Sequence, residues 1–214
     1  MRKSGTGDSA VSARERLVRS TQELLWERGY VGTSPKAILE RAGVGQGSMY
    51  HHFDGKAELA LAAVERSAEE LWASADACLS GPGTAYDRIA AYLLRERQVL
   101  RGCPIGRLTQ DRDVVGSAEL RRPLDALFDR LRARITEVVA EGVRTGELAA
   151  GTEPSAIAAT VAATVQGGYV LARAADDPAP FDASVQGLLS LLAAQVTTDP
   201  AASPTGAAGH WPVR

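Results

Sequence analysis

The chain contains few residues of the kinds that build disulfides, metal sites or membrane spans. Of its 214 residues two are cysteine (Cys78 and Cys103) and three are histidine (His51, His52 and His210). Two cysteines cannot form a disulfide framework or a cysteine-rich zinc site, so we expect a reducing, cytoplasmic setting. No apolar run approaches the roughly 20 residues that cross a bilayer. The first ten residues carry positive charge without an apolar stretch behind them, so we expect neither a signal peptide nor a membrane partner.

The scarcity of histidine also argues against an enzyme. A helical enzyme could use Cys103 or Glu119, but neither residue has a histidine placed beside it as a base. Cys103 lies between Gly102 and Pro104, and no nearby Lys or His would lower the pKa of its thiol, which favours a structural role over a redox one. We therefore predict no catalytic residue, no metal site and no cofactor.

Charge is distributed unevenly, although the net charge is only −2. Residues 1–56 contain nine Lys and Arg against six Asp and Glu, an excess of three positive charges, so the remainder carries five negative charges. A basic head on an acidic body favours binding of a polyanion by the head. A difference of this size also arises by chance, and composition alone leaves both alternatives open.

Hydrophobic spacing indicates helices throughout and no convincing strand. Ser12, with Glu15 three residues later, forms a capping-box pattern, and Ser34 followed by Pro35 starts a second helix. We predict an all-α protein of about nine helices, with a flexible arm over 1–11, a three-helix head over 12–55, a larger helical body over 56–196 and a disordered tail over 197–214. The predicted helices cover about 12–28, 34–42, 46–53, 56–78, 85–100, a short piece ending near 111, then 117–145, 154–175 and a last one carrying residues 185–196.

The stretch GVGQGSMYHHF, residues 43–53, allows three functions. A phosphate-binding loop would need a different glycine spacing and a preceding strand, whereas a helix precedes this stretch. A metal site would need further ligands, because His51 and His52 point about 100° apart on a helix. The third alternative is a helix-turn-helix, in which a glycine turn joins two short helices and the second is exposed. Gly43 suits the turn, and Met49 and Phe53 can hold the second helix to the core.

Such a helix would contact DNA through the polar side chains of its outer face. Gln46 and Ser48 can hydrogen-bond base edges, whereas Tyr50, His51 and Lys56 can reach phosphates. The glycines on either side of Gln46 would let the helix approach the duplex closely. The helix-turn-helix is therefore the favoured interpretation.

Residues 17–59 resemble the TetR/AcrR family of transcriptional regulators, through ELLWERGYVGTS and AILERAGVGQGSMYHHFDGKAEL. The resemblance implies that residues 46–52 form the recognition helix, that the second helix begins at the DNA backbone with Lys36 within reach of a base, and that Tyr50 and Lys56 contact phosphates. The family often has Ser then Lys where this chain has Gly45 and Gln46, so a capping hydroxyl and a positive charge are missing. The residues predicted to bind DNA are Thr33, Ser34, Lys36, Gln46, Gly47, Ser48, Tyr50, His51, His52 and Lys56.

The body resembles the LmrA/YxaF-like branch of the same family, at RGCPIGRLTQD and QGGYVLARAADDPAPFD. The resemblance implies a homodimer formed by the last two helices and a small-molecule cavity within the preceding ones. Some members of this branch respond to flat aromatic compounds. The residues predicted to line the effector cavity are Trp72, Tyr92, Cys103, Leu108, Phe128 and Tyr169.

From these resemblances we expect a repressor that leaves a palindromic double-stranded operator when a small hydrophobic or aromatic effector binds. The effector would act by moving the fourth helix, which rests on the head through Leu59 and Ala63. An activator, or a ligand-independent regulator with the same fold, is the alternative.

Overall fold

The computed structural model describes residues 12–197, so the predicted arm at 1–11 and the predicted tail beyond residue 197 lie outside the described residues. Within that range the chain is α-helical, and its only β-type pairing is an isolated bridge between Leu148 and Val196. The all-α prediction is confirmed. The α-helices are α1 (Ala13–Arg28), α2 (Pro35–Ala42), α3 (Gln46–His52), α4 (Lys56–Leu79), α5 (Ala85–Leu94), α6 (Arg112–Gly116), α7 (Ala118–Arg144), α8 (Pro154–Ala175) and α9 (Ala179–Ala193), with 3-10 turns at Val99–Arg101 and Gly106–Gln110.

Local sequence signals start the first two helices where they are predicted to start. Ser12 Oγ accepts the backbone N–H of Glu15 at 3.1 Å, and Ser34 Oγ accepts that of Ala37 at 3.2 Å. These bonds satisfy N–H groups that have no partner within the helix. The carboxylate of Glu15, which a capping box would direct back to Ser12, pairs instead with Arg66 of α4 at 2.6 Å. That ion pair joins α1 to α4.

The predicted extent of the fifth helix is wrong, because α5 ends at Leu94 rather than at Leu100. The guanidinium of Arg97 donates to the carbonyl of Tyr92 at 2.5 Å and to that of Leu93 at 2.6 Å. A continuing helix would satisfy those carbonyls with its own N–H groups. The arginine side chain takes their place, so the chain leaves the helix without losing the hydrogen bonds.

A loop without α-helix follows, which we name the junction loop and define as residues 101–111. Gly102 lies in the left-handed region with φ of +79°, which glycine adopts without strain. The short helix predicted to end near Asp111 is the 3-10 turn Gly106–Gln110. The α-helix α6 begins only after Asp111, whose carboxylate accepts the N–H of Asp113 at 3.2 Å.

Two hydrophobic clusters form the core. The head-side cluster joins residues of the head, such as Leu17 and Ile38, to the first half of α4, the start of α7, and Ile105 and Leu108 of the junction loop. The body-side cluster lies between α5, the rest of α7, α8 and α9. Apolar contact is therefore continuous across residue 55, where the sequence pattern predicts the end of the head. The head rests on the junction loop as well as on α4.

Candidate functional site

α3 is a short exposed helix that follows α2 after a glycine turn. Gly43 has φ of +61° and ψ of +41°, a left-handed conformation, and the N–H of Val44 donates to the carbonyl of Leu39 at 3.2 Å. On the inner side Met49, together with Phe53 just beyond the helix, is buried in the head-side cluster. This is the geometry of a helix-turn-helix with α3 as its second helix.

The outer face of α3 carries four of the predicted DNA contacts. Gln46, Gly47, Tyr50 and His51 are exposed, and Tyr50 retains 55% of its accessible surface. A Cβ built on Gly47 would meet no atom within 4 Å, so the backbone is open on this face. Polar side chains beside an open backbone are what a helix needs to approach base edges and phosphates.

The remaining two candidates on α3, Ser48 and His52, are half-buried. The rings of His51 and His52 meet edge-on, with their centroids 4.9 Å apart. Within residues 12–197 no group of three or more His, Cys, Asp or Glu side chains is arranged to hold a metal ion. His51 is exposed to solvent, whereas the His52 ring is partly covered.

The three candidates at the start of α2 have different surroundings. Thr33 is buried, and its hydroxyl donates to the carbonyl of Gly29 at 2.7 Å, so this side chain is directed into the head. Ser34 and Lys36 are exposed. Lys36 Nζ lies 3.9 Å from the carboxylate of Glu40, a surface ion pair of the kind that contributes little to stability and that a phosphate can replace.

Lys56, predicted to contact phosphate, is held by the head itself. Its Nζ donates to the carbonyl of Tyr30 at 2.7 Å and lies 3.9 Å from the centroid of the Tyr30 ring. Partial burial lowers the pKa of Lys56, while Asp111 and Asp113 act in the opposite direction. The ammonium therefore fixes the loop between α1 and α2 in place and is less available than that of Lys36.

Asp111 of the junction loop, which the sequence analysis did not single out, bonds directly to the head. Its Oδ2 accepts the N–H groups of Tyr30 at 2.8 Å and of Val31 at 3.0 Å. Both donors belong to the loop that leads into α2. One carboxylate of the body thus holds the segment that positions the helix-turn-helix.

Trp26 of α1 is a second anchor between head and body. Its Nε1 donates to the carbonyl of Gly102 at 3.0 Å, and its own carbonyl accepts from Arg107 Nη1 at 3.1 Å. The Arg101 guanidinium stacks 3.6 Å from the indole centroid and pairs with Glu23 at 2.8 Å. All three body residues lie in the stretch RGCPIGRLTQD, in which the sequence predicts a role only for Cys103 and Leu108.

A cavity of about 670 Å³ lies between the junction loop, α7 and α8, and we name it the body cavity. Three predicted ligand contacts line it: Cys103, Phe128 and Tyr169. Burial raises the pKa of Tyr169 to about 12, so its phenol is a neutral hydrogen-bond donor at physiological pH. The volume falls within the range of drug-sized ligand sites.

The other three predicted contacts lie elsewhere. Tyr92 is buried in the body-side cluster and Leu108 in the head-side cluster. Trp72 of α4 is half-buried beside the head-side cluster and lines a separate hollow between α4 and α7, with the Arg130 guanidinium 3.9 Å from its ring centroid. The structure therefore brings together one half of the predicted set and leaves these three as core or surface residues.

A second cavity, of about 550 Å³, lies between α1, α4 and the junction loop. It shares Gly102 and Tyr169 with the body cavity and includes Trp26 and Glu23 of α1 in its wall. The junction loop is thus the partition between a cavity on the α8 side and a cavity that reaches the head.

α8 is apolar yet poorly buried. Its most apolar 18-residue window has a mean hydropathy of 1.3, and 28% of that window is buried. Within residues 12–197 it is the one helix long and apolar enough to cross a membrane, by length and composition alone. Its exposed surface includes Val170 and Leu171, with 57% and 54% of their surfaces accessible.

Comparison with known proteins agrees with this geometry. Residues 17–63 match the family model for bacterial regulatory proteins of the tetR family, and residues 84–188 match the model for the tetracyclin repressor-like C-terminal domain. An uncharacterized HTH-type transcriptional regulator of Mycobacterium tuberculosis is 30% identical over 200 residues, covering 86% of this chain and 95% of the relative. LmrA of Bacillus subtilis is 29% identical over 112 residues, covering 49% of this chain and 57% of LmrA.

The fold has solved counterparts as well. A TetR transcriptional regulator from Chloroflexus aurantiacus superposes with a TM-score of 0.79 and 29% identity, covering 86% of this chain and 96% of that one. The family and these relatives are transcriptional regulators rather than enzymes. With a helix-turn-helix head, a helical body and relatives along most of its length, the chain belongs to the TetR family of DNA-binding transcriptional regulators.

Proposed function

We propose that this regulator is a cytoplasmic repressor that binds a palindromic operator as a homodimer and leaves it when a small hydrophobic or aromatic effector enters the body. The observation that supports this proposal is the position of the junction loop between the body cavity and the head. The same short segment lines the body cavity at Cys103 and Arg107 and bonds to the head through Arg107 and Asp111. A ligand in the cavity therefore touches the residues that hold the head.

DNA binding is assigned to the exposed face of α3 and the start of α2. Gln46 and Ser48 are the candidates for base edges, and Tyr50, His51 and Lys36 are those for phosphates. The open backbone around Gly47 allows close approach. Because Lys56 is bonded to the Tyr30 carbonyl, we assign it mainly to positioning the loop before α2.

A second copy of the chain is the partner we assign to α8 and α9. α8 exposes Ala163, Gly167 and Val170 on one side, and α9 exposes Gly187 and Leu191, the latter with 69% of its surface accessible. Small residues let helices from two subunits approach closely, and apolar surface of this extent favours burial against a partner. A two-fold axis there would present two α3 helices to successive turns of a palindromic operator.

Release is assigned to a population shift between two head positions. Leu59 and Ala63 of α4 are fully buried against the head, so a movement of α4 carries the head with it. The bonds from the junction loop to Trp26 and to the loop before α2 provide a second route. An effector shifts the equilibrium only if it binds the released arrangement more tightly than the DNA-bound one.

The test is fluorescence anisotropy with DNA from the region upstream of its own gene, at two salt concentrations, for the protein and for Tyr50→Phe. The Tyr50 hydroxyl forms no hydrogen bond within the described residues, so its loss leaves folding unchanged. We expect operator affinity to fall about 3- to 10-fold, as for loss of one hydrogen bond, and binding of the unaltered protein to weaken with salt.

Tyr86→Phe is the matched control, because Tyr86 packs against the body-side cluster. Equal, weak binding to every duplex by all three proteins would contradict the proposal. Tight operator binding that no small molecule reverses would favour the ligand-independent alternative, and reporter expression that rises with the protein would favour an activator.

A further inference from the structure

Positive charge is unbalanced around the body cavity. Arg107 of the junction loop, Arg132 of α7 and Arg173 of α8 all line it, and none of the described residues that form its wall is Asp or Glu. A concave surface with one sign of charge concentrates ions of the opposite sign. The second cavity differs, since Glu23, Glu70 and Glu96 offset its arginines.

Two of these three arginines have no acidic partner within the part of the chain that the structure describes. Arg132 pairs with Asp129 on the same helix. Among the salt bridges formed within residues 12–197, none includes Arg107 or Arg173. Burial, and secondarily the charge of Arg173, lower the pKa of Arg107. Two like charges therefore act on each other across the cavity wall, which an anion between them would relieve.

The junction loop is shaped to admit the α8 side chains that reach the cavity. A Cβ on Gly102 would lie 3.2 Å from Cδ and 3.4 Å from Nη1 of Arg173. A Cβ on Gly106 would lie 2.2 Å from Oε1 of Gln166. The two glycines of the RGCPIG stretch thus leave space for a guanidinium and a carboxamide, both of which can donate hydrogen bonds to a bound group.

The rest of the wall is suited to an apolar group. Phe128 and Ala162 provide apolar surface, while the neutral phenol of Tyr169 provides a polar edge. A ligand that fits both parts has an apolar body and one anionic end.

On the basis of the proposed function, we propose that the effector is an organic carboxylate with an aromatic or branched apolar body, and that Arg107 and Arg173 bind its carboxylate. Arg107 also donates to the carbonyl of Trp26 at 3.1 Å. A carboxylate that draws this guanidinium toward Arg173 weakens a bond between body and head. Binding and release are thereby linked through one side chain.

The test is titration calorimetry of the full-length protein without DNA, using matched pairs of acid and neutral amide: cinnamate and cinnamamide, 2-naphthoate and 2-naphthamide, and decanoate and decanamide. We expect at least one acid to bind and its amide to bind about 10-fold more weakly or worse, as for loss of charge-assisted hydrogen bonds. Arg173→Gln and Arg107→Gln should each weaken binding of that acid by a similar factor. The matched control is Arg144→Gln, an exposed arginine in the last turn of α7, which should bind like the unaltered protein.

The proposal is overturned if no acid in the panel binds, if an amide binds as well as its acid, or if both cavity variants bind the acid unchanged. If Arg107→Gln unfolds because it loses Trp26, Arg173→Gln alone decides. Operator anisotropy with the same ligands separates this proposal from the proposed function. If only neutral aromatic compounds release the operator, the anion site is wrong and the repressor proposal stands. If the protein binds an acid tightly but recognises no operator, the anion site stands and the repressor proposal is wrong.

Discussion

Replacement of Gly47 by alanine should raise the stability of the protein and lower its affinity for DNA. Gly47 lies in the first turn of α3, a helix of seven residues whose N-cap, Gly45, provides no side-chain hydrogen bond. A Cβ at Gly47 would meet no atom within 4 Å, so no steric cost arises inside the protein. Because alanine loses less backbone entropy than glycine in a helix, we expect unfolding to cost about 0.5 to 1 kcal/mol more.

DNA binding should respond in the opposite direction. If Gly47 lies against the duplex, an added methyl group separates the two surfaces, and overpacking of a close interface costs about 1 to 3 kcal/mol, or roughly 5- to 150-fold in affinity. Urea unfolding measures the first effect and operator anisotropy the second. Gly151→Ala, the same change at an open position in the body, should leave operator affinity unchanged. A Gly47→Ala protein that binds the operator as tightly as the unaltered one would refute the assignment of α3 as the recognition helix.

Three further predictions concern the body and its junction with the head. Asp111→Ala removes the acceptor of two loop N–H groups. We expect the free energy of unfolding, measured by urea denaturation, to fall by about 1 to 2 kcal/mol and operator binding to weaken. Unchanged values in both assays would exclude this residue as an anchor. Gly168→Ala would place a Cβ 2.8 Å from the Phe181 ring, so overpacking should cost about 1 to 3 kcal/mol of unfolding free energy, whereas an unaltered melting temperature would contradict this packing. Because burial raises the pKa of Tyr169 from 10.0 to about 12, the folded state holds that proton more tightly than the unfolded state, and stability should fall as pH rises between those values. In urea titrations across this range Tyr169→Phe should lose less stability than the unaltered protein; parallel curves would show that the phenol is not responsible.

The head was the part most open to prediction from sequence, because its signals are local. Ser12 and Ser34 each precede the helix that their hydroxyl caps, and Gly43 precedes a helix whose inner side is marked by Met49. Capping and turn formation act over three or four residues, so their sequence pattern and their geometry coincide. The prediction of where α5 ends failed because that end does not depend on a local signal. It depends on the Arg97 side chain folding back onto carbonyls, and hydrophobic spacing contains no sign of such a bond.

The candidate site residues also fall into two groups, those that the sequence predicts and those that only the packing decides. Exposure of Gly47 and His51, four residues apart on α3, follows from helical spacing once Met49 is assigned to the core. Tyr92 and Leu108 were predicted to line a cavity, yet their apolar character fits a core equally well, and only packing distinguishes the two environments. Cys103, Phe128 and Tyr169 come from three separate segments, and it is the tertiary arrangement that brings them to one cavity.

The sequence by itself determined that the chain is helical, where its head begins and turns, and which face of α3 meets solvent, because each of these depends on residues within a few positions of one another. Only the tertiary structure decided that Asp111 holds the loop before α2 and that Arg107 and Arg173 share a cavity wall to which residues 12–197 contribute no acid. Between Arg107 and Arg173 the sequence contains all of α6 and α7 and most of α8. Their charges become an anion site only when α8 packs beside the junction loop.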